Sequence, residues 1–206
     1  FIPRDGVRVA GEQVPFDEVT AGFAEAVEGL LGDDDRASDI LGAIKDAASV
    51  ERVEEAATAG TVLLESRPVN NSRYPEAQVH TPVVVAVAGE DRDVYMKEMF
   101  GPVIYVIATD STKQSLELAT ESAQRHGAIT WLVYSTDTAV QDAAEDAAVM
   151  AGVSVAFNLT GGLFVNQSAA FSDFHVTGAN PAGNASLTDP AFIAKRFRVV
   201  GVRKPA

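Results

Sequence analysis

The 206 residues contain no cysteine. Disulfides, thiolate metal sites and a cysteine nucleophile within these residues are thereby excluded. Histidine is almost as scarce: His80, His126 and His175 lie far apart along the chain, so no zinc or other metal site is expected. Basic residues are outnumbered, 16 Lys and Arg against 29 Asp and Glu, for a net charge of −13. A phosphate-binding face would need the opposite balance, so no nucleic-acid partner is expected. No run approaches the ~20 apolar residues that span a bilayer, and the opening Phe1-Ile2-Pro3-Arg4-Asp5-Gly6 lacks the regions of a signal peptide. No membrane association and a cytoplasmic location are therefore expected. Neither G-x-G-x-x-G nor a Walker pattern occurs. A nucleotide site here would have to be built without its own phosphate loop.

What is present is periodic. Phe16, Val19, Phe23, Val27, Leu30 and Leu31 recur at steps of three and four, one helix face, before Gly32 stops the pattern. Asp33-Asp34-Asp35 then reads as a solvated loop in preference to a cation site. A helix over 49–59 ending at Gly60 is followed by an apolar strand, Thr61 to Leu64. Val83 to Ala88 and Val103 to Ala108 are further strands. Ser111 with Gln114 makes a capping-box start for a helix ending at His126-Gly127. Ile129 to Tyr134, a helix capped by Asp137 and closed by Gly152, and Val153 to Phe157 continue the alternation. Near-continuous apolar strands joined by helices predict an α/β fold with a largely parallel sheet and helices on both faces.

From Asn158 to Ala185 the periodicity gives way to Gly, Asn, Ser, Ala and Phe. Long stretches without regular structure are often functional. Beyond it, residues 189–195 fit a short helix and Arg196 to Arg203 alternate as an edge strand, a candidate for pairing with another subunit in a homo-oligomer. The expected division is 1–185 as the main domain and 186–206 as a tail.

One short segment carries chemical information. In Glu98-Met99-Phe100-Gly101-Pro102-Val103, a carboxylate and an aromatic ring two residues apart in extended chain point the same way. They could hold a ribose beside a flat ring; from spacing alone, a surface Glu beside a core Phe is the commoner arrangement. This segment resembles the Glu-x-Phe-Gly-Pro-Val signature of aldehyde dehydrogenases. The flanks are similar in order: Ala59-Gly60-Thr61 upstream, and Gly152 to Asn158, which resembles the family's "G-x-V-x-V-N" strand with one extra residue. Residues 170–178 match the later family motif strictly only at Phe171 and Gly178, and Lys97 stands where many members have an acid. Asn166 to Phe174 and Phe1 to Gly6 look like the variants found in the phenylacetic acid degradation proteins of this superfamily.

The resemblance implies the C-terminal, catalytic-domain part of an enzyme that oxidises a small-molecule aldehyde with NAD or NADP, its nucleophilic cysteine lying upstream of Phe1. Glu98 would bind the nicotinamide-ribose hydroxyls and Phe100 would pack near the nicotinamide. No catalytic group is identified among the 206 residues, so the chain alone is expected to be inactive. Phe164, Phe171 and Phe174 are candidates for the substrate funnel, with filling of the loop's own small core as the alternative for each. His175 is read as a loop hydrogen-bonding residue in preference to a general base. The rival reading of the whole chain is a complete, non-catalytic α/β binding or assembly domain.

Overall fold

The computed structural model describes residues 1–128, 130–159, 200 and 202–204. The chain divides into two compact units, Phe1–Ser115 and Leu116–Ala206. The boundary expected at residue 185 lies outside the described residues, as do the helix expected over 189–195 and most of the strand after it.

The first unit is built on a four-stranded sheet in the order β1 (Ile2–Pro3), β6 (Val103–Thr109), β5 (Val83–Ala88), β4 (Thr61–Leu64). β1, β6 and β5 are parallel, with Val83 opposite Val103 and Ile2 opposite Ala108. β4 runs antiparallel to β5, through an irregularity between Val62 and Leu64. The sheet is therefore mostly parallel, as the apolar runs predict, with one reversed edge. Val83, Val84 and Val85 are all buried, so β5 is covered on both faces, which is why it reads as unbroken valine rather than as an alternating strand. On one face α3 (Ala47–Ala57) sets Val53 and Ala56 against Val83, Val85, Val87 and Ile107. The short α4 (Arg92–Tyr95) adds Tyr95, whose hydroxyl donates to the Gly89 carbonyl at 2.6 Å.

A hairpin of β2 (Val7–Val9) and β3 (Glu12–Val14) precedes α1 (Phe16–Leu31). Its two-residue turn carries Ala10 and Gly11 at positive φ, the backbone that such short connections require. The hairpin leaves little trace in the sequence because neither strand has a buried face. The apolar stripe of α1 is also narrower than its periodicity suggests. Thr20, Ala24 and Leu31 are buried, whereas Phe23 and Leu30 remain 39% and 50% exposed.

The aspartate triplet is not a loop. Asp33 caps α2 (Asp34–Ile40) by accepting from the Arg36 amide at 2.9 Å. Asp34 accepts from Arg67 Nη1 at 2.6 Å and from the Asn70 amide at 3.2 Å, and Arg67 Nη2 donates to the last carbonyls of the α1 end, Leu31 (3.1 Å) and Gly32 (2.7 Å). One guanidinium thus closes α1, opens α2 and ties both to the 66–70 segment, beneath which Leu31, Ala37, Val69 and Val79 form a small core. The Arg67 hydrogen bond, followed by that from the Asn70 amide, holds the Asp34 carboxyl below the usual carboxylate range. A depressed folded-state pKa adds stability above the unfolded value of about 3.9, and that stability is lost as pH falls through the folded value. Asp34→Asn should therefore flatten the acid side of the melting-temperature profile below about pH 4, where the parent chain loses stability. Superimposable profiles in thermal melts would remove Asp34 from the acid response.

α5 (Thr112–His126) begins in the first unit and continues into the second. Ser111 accepts from the Gln114 amide at 3.2 Å, and Gln114 reaches back to the Asp110 amide at 2.6 Å, a capping box displaced by one residue. In the second unit β7 (Trp131–Val133), β8 (Val155–Phe157) and β9 (Val202–Arg203) form a parallel sheet in that order, with α6 (Thr138–Ala151) packed on β7 and β8. Asp137 caps α6 and Gly152 ends it in the left-handed conformation, φ 71°. The described piece of the terminal strand pairs with β8 of its own chain, Val155 opposite Val202.

Candidate cofactor-binding turn

Residues 97–102 connect α4 to β6 and are held against α3 at three points. Arg52 Nε donates to the Phe100 carbonyl at 2.9 Å. Gly101 lies close enough to Ser49 that an added Cβ would come 3.3 Å from the Ser49 carbonyl oxygen. Lys97 Nζ pairs with Glu55 at 3.2 Å. The far end of the turn is seated on β5, where the Val83 amide donates to the Pro102 carbonyl at 3.0 Å. α3 itself is oriented by Asp46, which caps it through the Ala48 amide at 3.0 Å.

This anchoring sorts the side chains. Met99 is half-buried and, like Val103 and Tyr105, packs against the core cluster that contains Val53 and Ala56 of α3. Glu98 and Phe100, on either side of it, are exposed, and Phe100 is 73% accessible despite being a large apolar ring. Phe100 therefore does not lie in the core, the commoner arrangement for such a ring. Lys97 points to Glu55 rather than to solvent alone, which gives the departure from an acid at this position a structural partner. Burial pushes the neighbouring Tyr105 phenol up, opposed by the charge of Lys97.

In the second unit the C-terminal ends of β7 and β8 are stitched together by Asn158. Its side chain accepts from the Ser135 amide at 2.9 Å and donates to the Ser135 carbonyl at 2.8 Å, while its backbone sits at φ 50°. Tyr134 Oη donates to the Leu159 carbonyl at 2.9 Å, and Gln141 Nε2 adds a second bond to the Ser135 carbonyl at 2.6 Å. An asparagine tolerates left-handed backbone better than most residues, so the strand is turned and tied at one residue. Parallel sheets place ligand sites at this end of their strands. The segment that follows holds the funnel candidates Phe164, Phe171 and Phe174, and His175; all four lie outside the described residues.

Residues 7–164 match the aldehyde dehydrogenase family. The chain belongs to that family. The crystal structure of an NAD-dependent aldehyde dehydrogenase from Burkholderia multivorans is similar to it, with 53% sequence identity and a TM-score of 0.81 over 97% of this chain. The chain spans 36% of the length of that protein. No curated protein sequence matches the chain. The mixed α/β architecture with its mostly parallel sheet matches an aldehyde dehydrogenase fold. Arg52 and Asn158 were not singled out as functional from sequence. Arg52 lies within an ordinary charged helix face, whereas the Asn at the end of an apolar strand before a glycine-rich stretch was a signal that could have been used.

The exposed pair fits a nicotinamide dinucleotide in chemical terms. A carboxylate with no partner among the described residues can accept from a ribose diol, and an unburied ring beside it offers a flat apolar face. Among the described residues no helix is long and apolar enough to cross a membrane, and no three His, Asp or Glu side chains gather as a metal site would require.

Proposed function

We propose that these residues are the C-terminal part of the catalytic domain of an NAD- or NADP-dependent aldehyde dehydrogenase, in which Glu98 and Phe100 form one wall of the cofactor site. The observation that carries this reading is the exposure of a carboxylate without a partner among the described residues and of a phenylalanine two residues on, in a turn rooted on α3. The cofactor, when bound, supplies the hydride acceptor for aldehyde oxidation. Glu98 would fix the ribose through its carboxylate, and Phe100 would limit the tilt of the adjoining ring. The segment after Leu159, with Phe164, Phe171 and Phe174, would line the route of the aldehyde. Coverage of 36% of a related enzyme favours this reading over a self-contained assembly domain.

Within the family, the substrate class is an aldehyde from aromatic-compound breakdown, in the manner of the phenylacetic acid degradation proteins. The support is the likeness of Phe1 to Gly6 and of Asn166 to Phe174 to that branch. The cytoplasm is the proposed location, and a homo-oligomer joined through the C-terminal strand the proposed assembly. One edge of β9 is already engaged by β8, so a partner subunit would add at its other edge.

The cofactor role is tested in the full-length protein with Glu98→Gln. Losing a charged acceptor should raise KM for NAD or NADP about tenfold while the protein remains folded. Unchanged cofactor kinetics would take Glu98 out of the site.

A further inference from the structure

We infer that Arg52 is a positioning residue for the cofactor-binding turn: from α3 it holds the Phe100 carbonyl and so fixes the direction in which Glu98 and Phe100 project. This rests on the proposed role of that pair. The peptide carbonyl of Phe100 lies midway between the two contacts and the Gly101 bend, where a small rotation would swing both side chains. Arg52 meets it through Nε at 2.9 Å. The guanidinium is itself held, with Nη2 donating to Ser49 Oγ at 2.7 Å and lying 3.7 Å from Asp46 Oδ2. Ser49 is 4% exposed, so this support is fixed within the protein rather than lent by a mobile surface group. A planar group with donors spread in fixed directions can join three separated partners at once; the compact ammonium of a lysine offers no such fork. Among the described residues neither Glu98 nor the Phe100 ring makes a hydrogen bond, ion pair or ring contact, so their direction depends on the backbone, and Arg52 is the side chain that bonds the Phe100 carbonyl.

The test uses the full-length protein and four variants: Arg52→Ala, Arg52→Lys, Ser49→Ala and, in parallel, Glu98→Gln. Arg52→Ala should raise KM for NAD or NADP about tenfold and change kcat less than about twofold, because binding geometry rather than the chemical step is disturbed. Arg52→Lys, keeping the charge but not the planar fork of donors, should recover part of that loss. Ser49→Ala should give a smaller rise in the same parameter; it alters no charge and serves if Arg52→Ala does not fold. A lowered melting temperature with unchanged KM in the Arg52 or Ser49 variants, while Glu98→Gln impairs cofactor use, would overturn the positioning role alone. No effect of Glu98→Gln would overturn the cofactor reading and this inference with it.

Discussion

Purified as these 206 residues, the chain should produce no reduced nicotinamide from any aldehyde, with NAD or with NADP. The reaction proposed for the full-length protein needs a thiolate nucleophile, and the sequence has no cysteine to supply one. A serine or threonine would need an activating base within hydrogen-bond reach, and its hydroxyl is far less nucleophilic than a thiolate near neutral pH. Cofactor affinity is affected for a separate reason. Most of the binding energy of a dinucleotide comes from its phosphates and adenosine, which are held by glycine-rich turns and helix N-termini, and this sequence has no glycine fingerprint for them. Glu98 and Phe100 would meet only the nicotinamide end. The measurement is absorbance of the reduced cofactor over a panel of aliphatic and aromatic aldehydes, beside a cofactor-only blank. Aldehyde-dependent signal above that blank would mean that catalysis does not depend on the missing thiol, and the proposed division of labour would fail.

Phe157→Ala should have the largest effect on stability. Phe157 is fully buried between β8 and α6, against Ala144, Ala148 and Val155, with Trp131, Val133 and Val202 around it. The alanines that make room for its ring cannot expand to fill the space it would leave, so the cavity would persist. A Phe→Ala change in such a site costs about 3–5 kcal/mol. In a unit of this size each kcal/mol lowers the melting temperature by roughly 4–8 °C. The ring also lies 5.2 Å from Lys204 Nζ, which contributes a smaller cation–π attraction. Because Asn158 follows directly, collapse here would also release the clamp on Ser135. Phe157→Leu should recover most of the loss. A fall of less than about 1 kcal/mol for the alanine variant in thermal or denaturant unfolding would show that the second unit does not depend on this core.

The legibility of the chain follows the range of the forces involved. α1, α5 and α6 could be read because a helix declares its period and its caps within a few residues: Asp137 and Gly152 bracket α6 in the sequence as they do in space. β5 and β6 could be read because strands buried on both faces need unbroken apolar runs. The hairpin Val7–Val14 could not, since its strands have no buried face to impose a pattern. The reversal of β4 was equally silent, because a short apolar strand carries no mark of its direction.

Glu98 to Val103 was recognisable as a motif from its residues alone, as were the α/β class and the absence of a thiol. Only tertiary structure decided which way that motif faces. Met99 packs against the apolar core that α3 and β5 help to form, while Glu98 and Phe100 are exposed. The partners that hold the turn come from far away in sequence, Arg52 for the Phe100 carbonyl and Glu55 for Lys97. The same is true of Asp34, which reads as part of a solvated run but is met by Arg67, 33 residues further along the chain. Local patterns specify elements because their causes act within one or two turns of chain. The direction of a side chain and the partner of a charge depend on contacts that exist only once the chain has folded.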